Sequence, residues 1–279
     1  MTKDLGAIST LNLGNTVSKE VVGLMGTIHA QAITTAVDNG ISGYWAGLPE
    51  LPPPPPPVKE SFGFDVSRYQ SVDKVRSLVQ TGKYDFGVIK ASEGRAGYNP
   101  LHDEQVSVLR AGGLRVGHYH LGWCNQDPLE EARNFLANAK VQPGDCVFAD
   151  AEDWDSEHAY AAMKGVGWDL RLAWWFTWTR FVREQSGAIP FVYLNWEWLK
   201  GLRGACNVSA TTGWSTTDKW ARLTSMPLWL AQYRGPGDFD TVSGFWPVEM
   251  QQYTTNGGTL DENWVKGPTD RLWDRYCAA

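Results

Sequence analysis

The chain has 279 residues, 43% of them hydrophobic, so it can bury the core of one large domain or of two smaller ones. Its formal net charge of -6 argues against nucleic acid as the main partner and against attraction to an anionic membrane surface. The 15 tryptophans are unusual in number. Most are expected in the core, although indole rings also suit a cleft that binds sugars.

A proline run at residues 52–57 divides the sequence, because it favours a stiff, extended conformation. It predicts a linker over residues 51–60 between an N-terminal segment, residues 1–50, and a second domain, residues 61–279. Apolar residues at helical spacing between 17 and 41 predict a helix in the first segment. That helix either packs on a partner, a second copy or the second domain, or forms a flexible tail.

The N-terminal residues lack the basic region and apolar run of a secretory signal, so none is expected. No segment reaches the length of a transmembrane helix, so no membrane span is expected either. The four cysteines are widely spaced, which disfavours a zinc site and a disulfide framework. They are expected mostly as buried thiols, with one pairing left open.

Strands and helices alternate after the proline run, which favours an α/β fold with a parallel sheet and crossover helices. Their number and length suit a (β/α) barrel, and the lack of helices near the end predicts irregularity in its last third. Asp127 as N-cap and Pro128 in the first turn mark one helix start. The predicted strands are residues 63–66, 86–90, 115–120, 145–152, 189–194, 228–233 and 248–253, and the predicted helices are 72–80, 102–111, 128–139 and 169–185.

Two carboxylates, Asp150 and Glu152, end the fourth of these strands. Residues two apart on a strand face the same way, so both side chains point into one space. Repulsion between them makes one hold its proton more tightly. Acid-assisted cleavage of a glycosidic bond requires such a pair, although an isolated D-x-E pattern is more often an acidic loop.

The other acids fall at the same rim, where the chemistry of a (β/α) barrel takes place. Asp65 closes the first strand, and Asp261 is expected to follow the last strand after a turn. One rim therefore collects four carboxylates, at a cost in desolvation and repulsion that indicates a task. Polar or aromatic residues end the remaining strands: Tyr119, His120, Tyr193, Asn195, Gln252 and Tyr253.

Seven short motifs occur in one order along the second domain: FGFDVSRYQ (62–70), IKASEG (89–94), VGHYH (116–120), FADAED (148–153), LWLAQY (228–233), QQY (251–253) and LDEN (260–263). Together they resemble the glycoside hydrolase family 25 lysozymes. The resemblance implies an irregular, flattened TIM-like barrel without a metal or organic cofactor. It implies an N-acetylmuramidase that cleaves the β-1,4 bond between N-acetylmuramic acid and N-acetylglucosamine in bacterial peptidoglycan.

Roles follow from the matching positions. Glu152 is implied as the proton donor to the leaving oxygen. Asp150 is implied as the partner that stabilises positive charge on the sugar ring or orients its acetamido group. Asp65 and Asp261 are implied to line the same subsite and to help set the proton affinity of Glu152. The candidate substrate-binding residues are Tyr119, Tyr193, Trp229, Tyr233 and Gln252.

Several alternatives stay open at this point. The stereochemical outcome depends on the carboxyl separation, with participation by the substrate's acetamide favoured by the resemblance. His118 and His120 share a strand face, and a core or rim role is favoured over zinc ligation. Cys124 beside His120 is a weaker candidate nucleophile. Residues 196–218 do not align with the family, and an extra loop over the cleft is one structure left open for them.

The competing function is a virion structural protein or cell-wall-binding protein that binds glycan without cutting it. The expected setting is a bacteriophage lysin, acting on the wall from the cytoplasm of an infected bacterium or from the virion. In that setting residues 1–50 would contact a virion partner or a second copy of the chain.

Overall fold

Strands and helices alternate along the second domain, as its sequence predicts. The structure, a computed structural model, describes residues 59–150, 152, 166–207, 216–239 and 246–278. The helix predicted in residues 1–50 and the linker up to residue 58 lie outside the described residues. The strands are β1 (Ser61–Val66), β2 (Phe86–Glu93), β3 (Gly97–Tyr98), β4 (Arg115–Leu121), β5 (Cys146–Asp150), β6 (Phe191–Asn195), β7 (Leu228–Ala231), β8 (Val248–Thr254) and β9 (Asp261–Val265).

Helices follow most of these strands. The described helices are α1 (Val72–Gln80), α2 (His102–Ala111), α3 (Pro128–Ala139), α4 (Trp168–Ser186), α5 (Trp196–Asn207), α6 (Thr216–Thr224) and α7 (Thr269–Tyr276). The predicted cap of α3 is confirmed, because the Asp127 carboxylate accepts from the Leu129 amide at 2.7 Å. None of the described helices is long and apolar enough to cross a bilayer.

Eight of the strands close into a barrel in the order β1-β9-β8-β7-β6-β5-β4-β2, with β2 returning to β1 and the short β3 added outside β2. Within the barrel, neighbouring strands run parallel except β9, which is antiparallel to both β1 and β8; the added β3 is antiparallel to β2. A short turn at Asn256–Gly258 joins β8 to β9, and its Gly257 and Gly258 have positive φ. A tight connection of this kind is open only to antiparallel neighbours. The predicted irregularity of the last third is confirmed and has this cause.

Large apolar side chains fill the barrel interior, among them Phe86, Val88, Phe148 and Phe191. Gly117 is needed there, since a Cβ at this position would lie 2.5 Å from the Phe148 ring. The helix layer forms a separate, tryptophan-rich core around α4. Every tryptophan in the described ranges is buried or half-buried, so they build the core and give no support to a tryptophan-lined sugar cleft.

The region 196–218, which does not align with the family, contains two helices. They are α5 and the beginning of α6, and residues 208–215 between them lie outside the described ranges. The side chain of Asn195 caps the start of α5, because its carbonyl oxygen accepts from the Trp198 amide at 3.0 Å. The buried face of α5 packs Trp198 and Leu202 into the helix-layer core.

Two of the four cysteines are joined, which corrects the expectation of buried thiols for this pair. A disulfide connects Cys146, the first residue of β5, with Cys277 just after α7. Cys124 and Cys206 are buried thiols, as expected. The bridge fixes the C-terminal helix against the end of the barrel where the parallel strands begin.

Candidate active site

Four carboxylates meet at the rim where the parallel strands end. Asp65 lies near the end of β1, Asp150 is the last residue of β5, and Glu152 follows two residues later. Asp261 opens β9 and stands opposite Asp65 in the strand register. The sequence placed Asp261 after the last strand, which was wrong, but the antiparallel direction of β9 brings its first residue to the same rim. Asp65 and Asp150 are 7% and 8% exposed, whereas Glu152 and Asp261 are half-buried.

Asp65 is held by two amide side chains. Its Oδ2 accepts from Gln252 Nε2 at 3.0 Å and from Asn263 Nδ2 at 2.8 Å. Burial and the neighbouring Asp261 raise the pKa of Asp65 to about 8, and the two amide hydrogen bonds oppose that rise. Asn263 belongs to the LDEN motif, but the sequence analysis does not predict it as a site residue. Its spacing could have indicated it, because it follows Asp261 by two residues and so lies on the same strand face.

Gln252 also organises two tyrosines. Its Oε1 accepts from the Tyr193 hydroxyl at 2.9 Å and from the Tyr233 hydroxyl at 3.0 Å. Tyr233 is 58% exposed and stands over the rim, whereas Tyr193 is 4% exposed and lies within it. The predicted residues Gln252, Tyr193 and Tyr233 are therefore brought together with Asp65 in one hydrogen-bond network.

Trp229 occupies a different place from the one that stacking on a sugar would need. It is 2% exposed and packs against Tyr193 and Phe148 in the barrel interior. Its indole Nε1 donates to Asn263 Oδ1 at 2.9 Å. Trp229 is thus positioned to orient Asn263 from beneath the cluster and does not face the opening.

Glu152 is partly buried, and this environment favours its protonated form. Burial and the charge of Asp261 raise the pKa of Glu152 to about 7, while hydrogen bonds from Asn195 and Tyr193 and the charge of Lys90 lower it. Near neutral pH the carboxyl is therefore close to half protonated. A general acid needs this proton affinity at physiological pH.

Burial, and after it the charge of Glu152, raises the pKa of Asp150 well above its ordinary value. The charge of Lys90 lowers it. Asp150 Oδ1 is covered and has no hydrogen-bond partner among the described residues, which agrees with a poorly compensated charge. Burial and the surrounding acids also raise the pKa of Tyr119 well above its ordinary value. Tyr119 therefore lies against the four carboxyls, as its strand position predicts.

Lys90 is a cation of the site that the sequence analysis missed. On β2 it alternates with Phe86 and Val88, which face the barrel interior, so it points inward at the carboxyl end of the strand. Its side chain is 12% exposed and forms an ion pair with Glu93. The alternation of the IKASEG strand was the available signal, because it puts the lysine on the same face and at the same rim as the acids.

A second cluster outside the barrel has the order of a nucleophile, base and acid. Ser92 Oγ lies 2.8 Å from His120 Nδ1, and His120 Nε2 lies 3.0 Å from Glu131 Oε2. All three residues are 0% exposed, and the imidazole stacks near Trp174 and Trp178. A substrate cannot reach this serine, so the cluster serves the helix-layer core.

His118 also faces away from the interior. Its ring lies 2.9 Å from His102 Nε2 and 3.0 Å from Asp145 Oδ2. The core role favoured for His118 and His120 is confirmed by these contacts. His120 is engaged by Ser92 and Glu131, which leaves it no role as a base for the buried Cys124.

Comparison with known proteins gives one family and several related folds. The model of the glycosyl hydrolases family 25 matches residues 64–261. The uncharacterized protein YegX of Escherichia coli K12 is 25% identical over 218 residues, covering 75% of this chain and 71% of YegX.

Three solved structures share the fold at low sequence identity. A family GH25 lysozyme from Aspergillus fumigatus is 18% identical, with a TM-score of 0.62 over 79% of this chain and 100% of its own. The bacterial lysozyme from Streptomyces coelicolor is 21% identical, with a TM-score of 0.63 over 76% and 95%. The catalytic domain of endolysin ply40 from a Listeria monocytogenes bacteriophage is 18% identical, with a TM-score of 0.53 over 78% and 97%.

Proposed function

The chain belongs to glycosyl hydrolases family 25 and is a glycoside hydrolase of the lysozyme type, and on that premise we propose its bond and its catalytic residues. The substrate is bacterial peptidoglycan, and the bond is the β-1,4 link from N-acetylmuramic acid to N-acetylglucosamine. The observation that supports this most directly is the cluster of four buried or half-buried carboxyls at the rim, in which the pKa of Glu152 is about 7.

Glu152 acts as the general acid. It transfers its proton to the glycosidic oxygen as the bond from that oxygen to C1 of the muramic acid ring breaks, so the leaving sugar departs as a neutral alcohol. The raised pKa keeps the proton available near neutral pH. The amide of Asn195 hydrogen bonds to the carboxylate that remains, which stabilises it after the transfer.

Asp150 compensates the positive charge that develops on the sugar ring, either directly or by orienting the acetamido group for attack on C1. Either role requires Asp150 in its ionised form. Lys90 supports that form because its positive charge lowers the pKa of Asp150. The division of roles between acid and stabiliser requires the two neighbouring acids to titrate separately, with one proton held by the pair.

The remaining residues shape the subsite. The charge of Asp261 helps to hold the proton on Glu152, and Asp65 titrates in the same cluster. Tyr119 and Tyr193 contact the acetamido group, and the exposed Tyr233 covers the sugar ring. Gln252 fixes both Tyr193 and Tyr233 through one oxygen. Trp229 acts indirectly, through Asn263.

The test of the acid is Glu152→Gln, which keeps the shape of the side chain and removes its proton. Wild-type chain should clear a suspension of purified cell walls, while the variant should bind the walls in a pelleting assay and leave them turbid. Glu130→Gln is the matched control, since Glu130 is exposed on α3 and should clear at the wild-type rate.

Two results would count against the proposal. Clearing by the Glu152 variant at the wild-type rate would show that another group supplies the proton. Wall binding by the wild-type chain without any clearing would favour the competing function, a structural or cell-wall-binding protein.

The setting we propose is that of a bacteriophage lysin, acting from the host cytoplasm or from the virion, with residues 1–50 as an assembly handle. The fold shared with endolysin ply40 is compatible with this setting. Sedimentation velocity of the full chain and of a chain starting at Lys59 tests the handle. A larger assembly for the full chain alone supports it, and two monomers would count against self-assembly.

A further inference from the structure

The two ends of the barrel differ in charge. The acids gather where the parallel strands end, and a cavity of about 310 Å³ opens at the other end. Its walls come from the start of β8 at Val248, the end of β9 at Val265, and the helix α7. The cavity is therefore separate from the candidate active site and shares none of its residues.

Three cations line this cavity: Lys266, Arg271 and Arg275. Glu249 is the carboxylate among the lining residues, so three positive charges and one negative charge leave a net charge of +2. Glu249 Oε1 accepts from the Tyr276 hydroxyl at 2.9 Å and lies 3.8 Å from Arg275. It therefore balances Arg275, and within the described ranges neither Lys266 nor Arg271 makes an ion pair.

The positions of these cations on the backbone place them around the same cavity. Arg271 and Arg275 are four residues apart on α7 and share a helix face. Neither acid of α7 lines the cavity, and Asp270 accepts from both Arg115 Nε at 3.0 Å and Arg115 Nη2 at 2.7 Å. The start of α7 at Pro268 also lines the cavity and adds the partial positive charge of a helix N-terminus.

We propose that this cavity binds a phosphate-bearing ligand. Arginine presents a planar fork of donors that matches a phosphate group, and the pair of unbalanced cations supplies the charge. A volume of about 310 Å³ is at the lower end of the range for small-molecule sites and fits one phosphorylated unit. The apolar side chains of Val248, Val265 and Leu272 suit the carbon skeleton of that unit.

The net charge of the whole chain restricts where a phosphate group can be attracted. With a formal net charge of -6, the chain as a whole is repelled by a polyanion, so attraction must come from a local site. The phosphate could belong to a free small molecule or to a phosphodiester polymer of the bacterial wall. A wall polymer held at this end would retain the chain at its substrate while the acid-lined rim stays open.

Isothermal titration of the full chain tests the proposal with inorganic phosphate, glycerol 3-phosphate and poly(glycerol phosphate). The wild-type chain should bind at least one probe saturably, and Lys266→Gln with Arg271→Gln should weaken binding at least tenfold. Tighter binding of the polymer than of both small probes identifies the wall polymer as the source, and equal binding identifies a free phosphate compound.

The matched control is Lys74→Gln with Arg180→Gln, which removes the same charge from exposed positions on α1 and α4. The control should keep wild-type affinity. Absence of saturable binding to all three probes, or an equal loss in both double variants, would overturn the proposal. Both variants should hydrolyse a soluble, phosphate-free muropeptide at the wild-type rate, so this site is tested separately from the catalytic one.

Discussion

Asn263 donates a hydrogen bond to Asp65 across the antiparallel pair β9–β1, with 2.8 Å between Nδ2 and Oδ2. The same amide accepts from Trp229 at 2.9 Å, so its orientation is fixed from below. The antiparallel closing strand thus delivers both an acid, Asp261, and the amide that orients another acid.

Asn263→Ala tests this relationship. The change removes a donor from Asp65, so the pKa of Asp65 should rise further, and it leaves the Trp229 N–H buried without a partner. We expect a loss of about 1–3 kcal/mol in the free energy of unfolding and a lower kcat with a shifted pH profile. Chemical denaturation and pH-dependent hydrolysis of a soluble muropeptide measure both effects.

Trp229→Phe is the matched control for Asn263→Ala. It removes the indole donor and keeps the amide contact with Asp65, so stability should fall while the pH profile keeps its wild-type form. An Asn263→Ala chain with an unchanged pH profile would show that this amide has only a structural role.

Lys90→Met should move the pH–rate profile toward higher pH. Lys90 lowers the pKa of Asp150 and of Glu152, so loss of its charge raises the pKa of both. The limb that reports ionisation of Asp150 and the limb that reports deprotonation of Glu152 should therefore shift in the same direction. Lys90→Arg retains the charge and should stay near the wild-type profile, and equal shifts for both variants would exclude an electrostatic role.

Glu152→Gln should stabilise the fold at alkaline pH. The pKa of Glu152 is about 7 in the fold and 4.5 ordinarily, so the folded carboxyl holds its proton more tightly. Stability is therefore lost as pH rises from 4.5 to 7, and glutamine removes this loss. At pH 8 the variant should be more stable on the order of 2–3 kcal/mol, and the gain should vanish below the ordinary pKa.

Thermal melting at several pH values between 4 and 8 measures this effect. Glu130→Gln, at an exposed position, should show no such dependence on pH. An equal change in Tm for Glu152→Gln at every pH would contradict the assignment of a raised pKa.

The disulfide between Cys146 and Cys277 predicts that two thiols react with iodoacetamide in the unfolded, unreduced chain, namely Cys124 and Cys206. Because the bridge closes a loop of 131 residues, its removal should cost roughly 4–5 kcal/mol in the chain-entropy description. Chemical denaturation of Cys277→Ala measures the loss of stability, and mass spectrometry of the alkylated wild-type chain counts the free thiols. Four alkylated thiols without reduction would contradict the bridge.

Much of the barrel could be predicted because its boundaries have local causes. The helices of residues 72–80, 102–111 and 128–139 have the predicted bounds, and polar residues lie at or near the ends of β1, β5 and β6. The location of the acid cluster could be predicted because the carboxyl ends of parallel strands meet at one rim of the barrel. Asp65 and Asp150 could therefore be assigned to one end of the barrel before any packing was known.

Other features depend on contacts between distant residues. The segment beginning at Asp261 reads as a polar turn, and only its pairing with β1 and β8 makes it a strand. The pairing of Cys146 with Cys277 likewise requires the fold. Tryptophan is a residue type that stacks on sugars, so the sequence allows that role for Trp229. Its burial beneath Asn263 is decided by the register of β7.

The most direct test of the central claim is mass spectrometry of peptidoglycan after digestion and borohydride reduction. The account predicts fragments ending in reduced N-acetylmuramic acid with the wild-type chain, and no new ends with Glu152→Gln. Fragments ending in reduced glucosamine, or free peptides with intact glycan, would contradict it.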